Sequence, residues 1–173
     1  MNQPVVRLQR ASPHDREAFL EFAEDYRDSG EDRYEAALAD PDAYLRWLAD
    51  MERAETCPPG LVAQTTFWAV DDQDRVLASS RLRHGLSPAL RREGGHIGYD
   101  VRPSARRRGL GTRLLSVTLE EARRIGLPRV LLTCDDDNVA SGRIILANGG
   151  LEIDPSVSDR TGKVVRRFWI EVS

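Results

Sequence analysis

The sequence has few cysteines and histidines, and it has no long apolar run. Its 173 residues include two cysteines, Cys57 and Cys134, and three histidines, and the cysteines lack the spacing of a metal site. We therefore expect no metal and no disulfide framework, and a reducing cytoplasmic location fits best. No stretch is long enough to span a bilayer, and the first ten residues lack the apolar core of a signal peptide. These absences predict that no membrane is a partner.

An excess of positive charge is also lacking. The chain has 25 Lys and Arg against 28 Asp and Glu, a formal net charge of −3, which argues against a nucleic-acid-binding protein. Apolar residues make up 40% and charged residues 31%, which is ordinary for a soluble globular protein. This length and composition predict one domain spanning residues 1–173.

Hydrophobic periodicity and turn residues predict the element order β-α-α-β-β-β-α-β-α-β-β. Ser12 and Pro13 are expected to start the first helix, and Asp40-Pro41 to interrupt a second helical region over residues 32–53. The continuous apolar run Val130-Leu131-Leu132 is typical of a buried parallel strand. The predicted strands cover residues 5–9, 65–71, 75–83, 97–101, 129–133, 151–153 and 164–172. The fold class is therefore α/β (α+β), a mixed sheet with helices on both faces.

The stretch over residues 96–124 predicts an anion-binding turn. A strand ending at Val101 is followed by Arg106-Arg107-Arg108-Gly109-Leu110-Gly111-Thr112 and then by an amphipathic helix. A helix start has unpaired N–H groups and a partial positive charge, glycines let an anion approach, and arginines add charge-assisted hydrogen bonds. A Walker loop is excluded because no Gly-Lys-Ser or Gly-Lys-Thr occurs. A dinucleotide loop fails because its third glycine position holds Leu114.

The pattern Arg106-x-x-Gly109-x-Gly111 resembles the acyl-CoA pyrophosphate loop of the GNAT superfamily of N-acetyltransferases. The strand Gly-Gly-His-Ile-Gly-Tyr at residues 94–99, with Val-Arg-Pro at 101–103, is similar to a bacterial branch of that family. So is the downstream unit Asp137-Asn138-Val139-Ala140-Ser141, ahead of Asn148-Gly149-Gly150. The resemblance implies a splayed central sheet. It also implies transfer of acetyl from acetyl-CoA to a primary amine of a small molecule or peptide, with a homodimer as a possible assembly.

The same resemblance implies a set of cofactor-binding residues. Backbone groups of Tyr99, Asp100 and Val101 would pair with the acyl and pantetheine amides. Asn138 would bind the pantetheine arm, with Ser141 nearby, although Asn138 could also be a plain helix cap. The pyrophosphate would be held by the backbone of Arg106, Arg107, Arg108, Gly109, Leu110, Gly111 and Thr112.

His96 is the candidate general base, because its ordinary pKa lies near neutrality and the resemblance places it on the central strand beside the cleft, where family members often have a base. A structural histidine is the alternative, and Glu93 or a relayed water could act as base instead. Strand alternation places His96 on the face opposite Tyr99 unless a bulge changes the register. Tyr99 is the second candidate at the reaction centre, with lining of the cleft as its alternative role. Cys134 is expected to contribute packing.

The sequence departs from the family at one catalytic position. Many GNAT enzymes place a tyrosine seven residues beyond the asparagine to protonate the leaving thiolate, and here that residue is Ile145. The thiolate would then leave unassisted or take a proton from water, from the Ser141 hydroxyl or from another element. A non-catalytic acyl-CoA-binding or sensing domain is therefore the second functional hypothesis. The acid-rich first helices are interpreted as a solvated face, or as a field that attracts a cationic amine.

Overall fold

A computed structural model describes residues 6–172 and shows two antiparallel sheets with helices packed on them. The strands are β1 (Arg7–Arg10), β2 (Gln64–Val70), β3 (Val76–Arg83), β4 (Ile97–Val101), β5 (Arg129–Asp135), β6 (Leu151–Val157) and β7 (Val164–Glu171). The helices are α1 (Arg16–Asp28), α2 (Glu35–Ala39), α3 (Pro41–Met51), α4 (Pro88–Arg92), α5 (Leu110–Arg124) and α6 (Val139–Ala147). Val5, where the first strand was predicted to begin, lies outside the described residues. The predicted order is otherwise reproduced, and the short α4 is added between β3 and β4.

The first sheet has the order β1-β2-β3-β4, and all neighbouring strands are antiparallel. Alternation along β2 sends Trp68 and Val70 into the core beneath α1, α2 and α3. Phe67 and Ala69 point to the opposite face, where they pack with residues of α5. The sheet is therefore covered on both faces, which explains why β2 is buried along its whole length.

The second sheet has the order β5-β7-β6 and is also antiparallel. The expectation that β5 pairs with a parallel strand is therefore wrong, because β5 forms its ladder with the antiparallel strand β7. Its apolar run reflects burial on both faces, with Val130, Leu131 and Leu132 at most 1% exposed. The α/β fold class with helices on both faces is confirmed, but the single mixed sheet becomes two antiparallel sheets.

The two sheets are hydrogen-bonded where His96 meets Leu131, and a gap opens beyond this point. The His96 N–H donates to the Leu131 carbonyl at 2.7 Å, and no strand ladder joins β4 to β5 in residues 6–172. Further along the strands, Tyr99 of β4 and Cys134 of β5 line a common cavity. This divergence is the splay that the family resemblance implied, and it creates the space for a ligand.

Two helix starts follow their sequence signals. Ser12 accepts a hydrogen bond from the His14 amide, although it caps a 3-10 turn over Pro13–Asp15 that precedes α1. Asp40 caps α3 through the Ala43 amide, with Pro41 at the first helical position. The predicted boundary inside residues 32–53 is therefore confirmed.

The apolar faces of α5 and α6 differ from expectation near their ends. The helical spacing of apolar residues in α5 predicts that Ile125 extends its buried face, but Ile125 follows the last residue of that helix and is 44% exposed. In α6, Ile145 is fully buried, whereas Val139 at the start of the helix is 55% exposed. Apolar composition alone did not distinguish these positions.

Candidate active site

A cavity of about 630 Å³, the large cavity, lies where the arginine- and glycine-rich loop meets α5 and α6. It includes every residue predicted to bind cofactor except Arg108. Its lining consists of Arg33, Tyr99, Asp100, Val101, Arg106, Arg107, Gly109, Leu110, Gly111, Thr112, Asn138, Ala140, Ser141, Arg143 and Ile144. The residues that the sequence grouped by motif are therefore brought together in space.

The start of α5 forms the anionic end of this cavity. Gly109 precedes the helix in the left-handed region, with φ of 77°, a conformation that glycine adopts without strain. No side chain caps the helix, so the first-turn N–H groups of Leu110, Gly111 and Thr112 remain for a ligand. With the positive end of the helix dipole, these N–H groups suit a phosphate.

Gly111 also permits the close packing of α5 against α6. A Cβ built at Gly111 would come within 2.7 Å of the Ile144 Cδ1 atom of α6 and 3.8 Å of Val101. The missing side chain therefore allows α5 and α6 to approach closely, in addition to leaving the helix start open.

Arg106 fixes the loop to the first helices. Its guanidinium makes two hydrogen bonds to Glu31, at 2.6 and 2.9 Å, and its Nε donates to the Val101 carbonyl at 3.0 Å. This pairing holds the pKa of the Glu31 carboxyl below its usual range. The acid-rich first helices thus have a role that neither sequence interpretation included. Asp25 acts in the same way, because it accepts from the Ser104 amide at 3.0 Å.

The charge of the large cavity matches a phosphate-bearing ligand. Four arginines line it, Arg33, Arg106, Arg107 and Arg143, against a single carboxylate, Asp100. Among the described residues, neither Arg107 nor Arg143 takes part in an ion pair. The residues present therefore fit the diphosphate of coenzyme A.

The edge of β4 faces the gap between the sheets. The Arg102 amide bonds to the Leu77 carbonyl at the end of the β3–β4 ladder, and bonded pairs alternate along such a ladder. Backbone groups of Tyr99 and Val101 therefore point away from β3 and into the gap. The backbone of Asp100 is turned toward β3, so its contact with the cofactor stays a prediction that this register does not favour.

Tyr99, Ser141 and Asn138 form a polar cluster across the gap. The Tyr99 hydroxyl lies 2.8 Å from the Ser141 Oγ, and the Ser141 amide donates to the Asn138 side chain at 3.0 Å. Asn138 is therefore the helix cap of α6, and it also lines the cavity. Burial raises the pKa of Tyr99 to about 12, against the opposing effect of Ser141, so its hydroxyl stays protonated at neutral pH.

The Asp100 side chain anchors a buried network on the opposite face of β4. Its Oδ2 accepts hydrogen bonds from the hydroxyls of Tyr26 and Tyr34 at 2.9 and 2.7 Å. Its Oδ1 lies 3.3 Å from the Arg33 guanidinium and 3.2 Å from that of Arg81. One carboxylate therefore orients two guanidinium groups.

His96 joins the two sheets instead of facing the large cavity. Its Nδ1 accepts from the Leu131 amide at 2.8 Å, while its own amide donates to the Leu131 carbonyl. The residue is 6% exposed, and burial, with Arg91 and Arg83 nearby, lowers its pKa to about 4. This geometry supports the structural alternative for His96. Its role as general base stays a prediction.

Two further cavities adjoin the first. The small cavity, about 290 Å³, lies in the gap and is lined by Arg33, Arg81, Arg83, Glu93, Gly94, Ile97, Gly98, Tyr99, Thr133, Cys134, Asp135, Asn138, Ser141 and Val165. The aromatic pocket, about 470 Å³, is lined by Arg33, Tyr34, Ala36, Ala37, Asp40, Ala43, Tyr44, Trp47 and Arg81. Glu93, the alternative base, thus faces the small cavity, whereas His96 lines none of the three. Arg33 lines all three.

Sequence reasoning missed Arg33, Arg81 and Arg143. Arg33 stands in an acidic stretch after Glu31-Asp32, and Arg81 lies in the middle of a strand, so neither belongs to a motif. The signal that could have drawn attention to Arg81 is a charged residue inside an otherwise buried strand.

Burial of Cys134 raises the pKa of its thiol, as suits a packing residue. Ile145 is fully buried, so the usual position of the family's tyrosine lies inside the core of this protein. In residues 6–172 no group of His, Cys, Asp and Glu side chains could hold a metal ion, and none of the helices described is long and apolar enough to cross a membrane.

A helix start suited to a phosphate, beside the gap between two splayed strands, is the arrangement expected of an acyltransferase that uses an acyl-CoA donor. The family described as acetyltransferase (GNAT) domain matches residues 6–150. The chain therefore belongs to the GNAT acetyltransferase family and is an acetyl-CoA-dependent acyltransferase. No curated protein matches it at a significant level.

Solved structures agree on the fold. The ribosomal-protein-S5-alanine acetyltransferase of Vibrio fischeri superposes with a TM-score of 0.76 at 12% identity, over 100% of this chain and 95% of that one. The protein yncA of Salmonella typhimurium, solved with its cofactor acetyl-CoA, gives 0.65 at 20% identity, over 99% and 95%. The ribosomal-protein-alanine N-acetyltransferase of Brucella melitensis gives 0.67 at 19% identity, over 95% and 99%. At these identities the likeness concerns the fold.

Proposed function

We propose that this chain, as one domain over residues 1–173, transfers the acetyl group of acetyl-CoA to a primary amine of a small molecule or peptide. The observation that carries the proposal is that two cavities share part of their lining. Tyr99, Asn138 and Ser141 line both the arginine-rich large cavity and the small cavity in the gap. A donor bound at the start of α5 would therefore present its thioester where an acceptor can enter from the other side.

The binding roles follow from the geometry. First-turn amides of α5 and the arginines Arg107 and Arg143 would hold the diphosphate. The free backbone edge at Tyr99 and Val101 would pair with the amides of the pantetheine arm as an added strand. Asn138 would offer its side-chain amide while its oxygen caps α6.

The reaction is direct attack of the neutral amine on the thioester carbonyl. The carbon–nitrogen bond forms as the carbonyl oxygen becomes an oxyanion, and collapse expels the thiolate. The amine loses one proton and the thiolate gains one. Backbone N–H groups at the open edge of β4 are the donors available to the oxyanion.

Tyr99 is the proposed proton donor to the thiolate. It is protonated at neutral pH, it lies at the junction of the two cavities, and Ser141 orients its hydroxyl. It would thereby replace the tyrosine that the family places on α6, where this chain has the buried Ile145. Glu93, directly or through a water, is the proposed acceptor of the amine proton, because it lines the small cavity.

Thiol release from acetyl-CoA with a panel of primary amines tests this function. We expect amine-dependent release in the wild type and CoA binding by calorimetry. Binding of CoA without release for any amine would instead support the sensing domain, which the missing tyrosine on α6 favours. Homodimer formation and a cytoplasmic location stay predictions.

A further inference from the structure

The two arginines that converge on Asp100, Arg33 and Arg81, leave an excess of positive charge between the small cavity and the aromatic pocket. Asp100 is the only carboxylate within ion-pairing distance of Arg33 or Arg81 among the described residues. Both of its oxygens are already engaged, because Oδ2 accepts from Tyr26 and Tyr34. One negative charge therefore faces two guanidinium groups, each with further N–H donors.

The position of Arg81 is built into the sheet. It stands opposite Gly98 in the β3–β4 register, and its Nη2 lies 3.2 Å from where a Cβ of Gly98 would be. The absence of a side chain at Gly98 thus leaves room for the guanidinium to lie across β4. Its side chain is 21% exposed, and it lines both the small cavity and the aromatic pocket.

The aromatic pocket offers an apolar surface next to these charges. The rings of Tyr44 and Trp47 stack with centroids 6.1 Å apart, and Trp47 is 40% exposed. Burial and the neighbouring Asp100 raise the pKa of Tyr34 well above its usual range, so this hydroxyl remains a donor to Asp100. An apolar or aromatic group could pack on this wall while an anion binds the arginines.

Opposite charges lie deeper in the gap. Glu93 and Asp135 line the small cavity but not the aromatic pocket, whereas Arg33 and Arg81 line both. The third arginine, Arg83, donates to the carbonyls of Gly94 and Gly95. The order from the gap outward is therefore carboxylates, then arginines, then aromatic rings.

We propose, on the basis of the function above, that the acceptor is a free amino acid with a large apolar or aromatic side chain. Its amine would lie in the small cavity near Tyr99, its carboxylate between Arg33 and Arg81, and its side chain against Tyr44 and Trp47. Arg33 also lines the large cavity, so the anion sits close to the reacting amine. That closeness suits an amino acid and disfavours a long polyamine.

The effect of the substrate carboxylate is measured with three compounds that have the same aromatic ring and a primary amine: phenylalanine, phenylalaninamide and 2-phenylethylamine. We expect kcat/KM for thiol release to be at least about 10-fold higher for phenylalanine than for either neutral analogue. Equal turnover of phenylalanine and 2-phenylethylamine would overturn the inference and leave the proposed function standing. Turnover of a peptide amine without turnover of phenylalanine would also overturn it.

Variants separate recognition from folding. Arg81→Gln should raise KM for phenylalanine at least about 10-fold and leave the Kd of CoA unchanged, because Arg81 does not line the large cavity. Arg81→Lys, which keeps the charge, should recover part of the loss. Arg27→Gln, which removes an exposed arginine paired with Glu24, is the matched control. Should Arg81→Gln fail to fold, the partly exposed Arg33→Gln replaces it for the comparison of KM values alone, because Arg33 also lines the large cavity.

An unchanged KM for phenylalanine in a folded Arg81→Gln or Arg33→Gln protein would overturn the inference. Binding of CoA with no thiol release for any of the three compounds would overturn it as well. Failure to bind CoA at all would instead contradict the proposed function on which it rests.

Discussion

The replacement of His96 by alanine distinguishes a structural residue from a catalytic base. In the folded protein the His96 ring supplies the acceptor for the Leu131 amide, at the end of the gap where the two sheets are hydrogen-bonded. His96→Ala leaves that buried N–H unpaired and removes the packing of the ring, so we expect the free energy of unfolding to fall by about 2–4 kcal/mol. Each kcal/mol lowers the Tm of a chain of this length by about 2–4 °C, so the expected fall is roughly 5–15 °C.

The pH dependence sharpens this prediction. The pKa of His96 is about 4 in the folded protein, against about 6.5 for an unfolded histidine. Between these pH values the unfolded chain binds the proton and the folded chain does not. The contribution of His96 to the free energy of unfolding is therefore complete above about pH 6.5 and falls toward pH 4. This difference between the two pKa values changes the free energy of unfolding by about 3 kcal/mol at most. The stability gap between wild type and His96→Ala should therefore narrow as pH falls from about 6.5 to 4.

Thermal melts and denaturant titrations across this pH range measure the effect. His14→Ala is the matched control, because His14 is exposed and its side chain makes none of the described hydrogen bonds. A His96→Ala protein as stable as the wild type, whose acidic limb in the pH–rate profile has moved or vanished, would refute the structural role. It would restore His96 as the general base.

Three further predictions concern the reaction centre. Tyr99→Phe should lower kcat about 10- to 100-fold in the thiol-release assay while the calorimetric Kd of CoA stays within about twofold. An unchanged kcat would show that Tyr99 is not catalytic. Ser141→Ala should lower kcat less than Tyr99→Phe. Ile145→Tyr should lower stability by about 1–3 kcal/mol in a denaturant titration without raising kcat, because this side chain is fully buried; a faster enzyme would show that the missing acid limits the reaction. Gly111→Glu should weaken CoA binding in calorimetry at least about 10-fold, since it adds bulk beside Ile144 and negative charge at an anion site; unchanged CoA binding by the folded variant would contradict the site.

Local signals accounted for most of the secondary structure and for the anion-binding turn. The cap at Asp40 and the left-handed Gly109 before α5 act within a few residues of themselves, so their consequences can be predicted from short stretches. Strand pairing was less predictable. The run at residues 130–132 looks the same for any strand buried on both faces, and only its neighbours decide that it is antiparallel.

The sequence by itself determined the order of elements, the candidate phosphate-binding helix start and the family resemblance, because each depends on residues adjacent in the chain. Tertiary structure alone decided what lies across from them. It placed His96 against Leu131, Glu31 against Arg106, and Asp100 between two arginines more than 15 residues away in the chain. Such pairings depend on how the sheets and helices stack, and no spacing along the chain encodes them. The chemistry on the acceptor side therefore emerged only when distant side chains met in the folded protein.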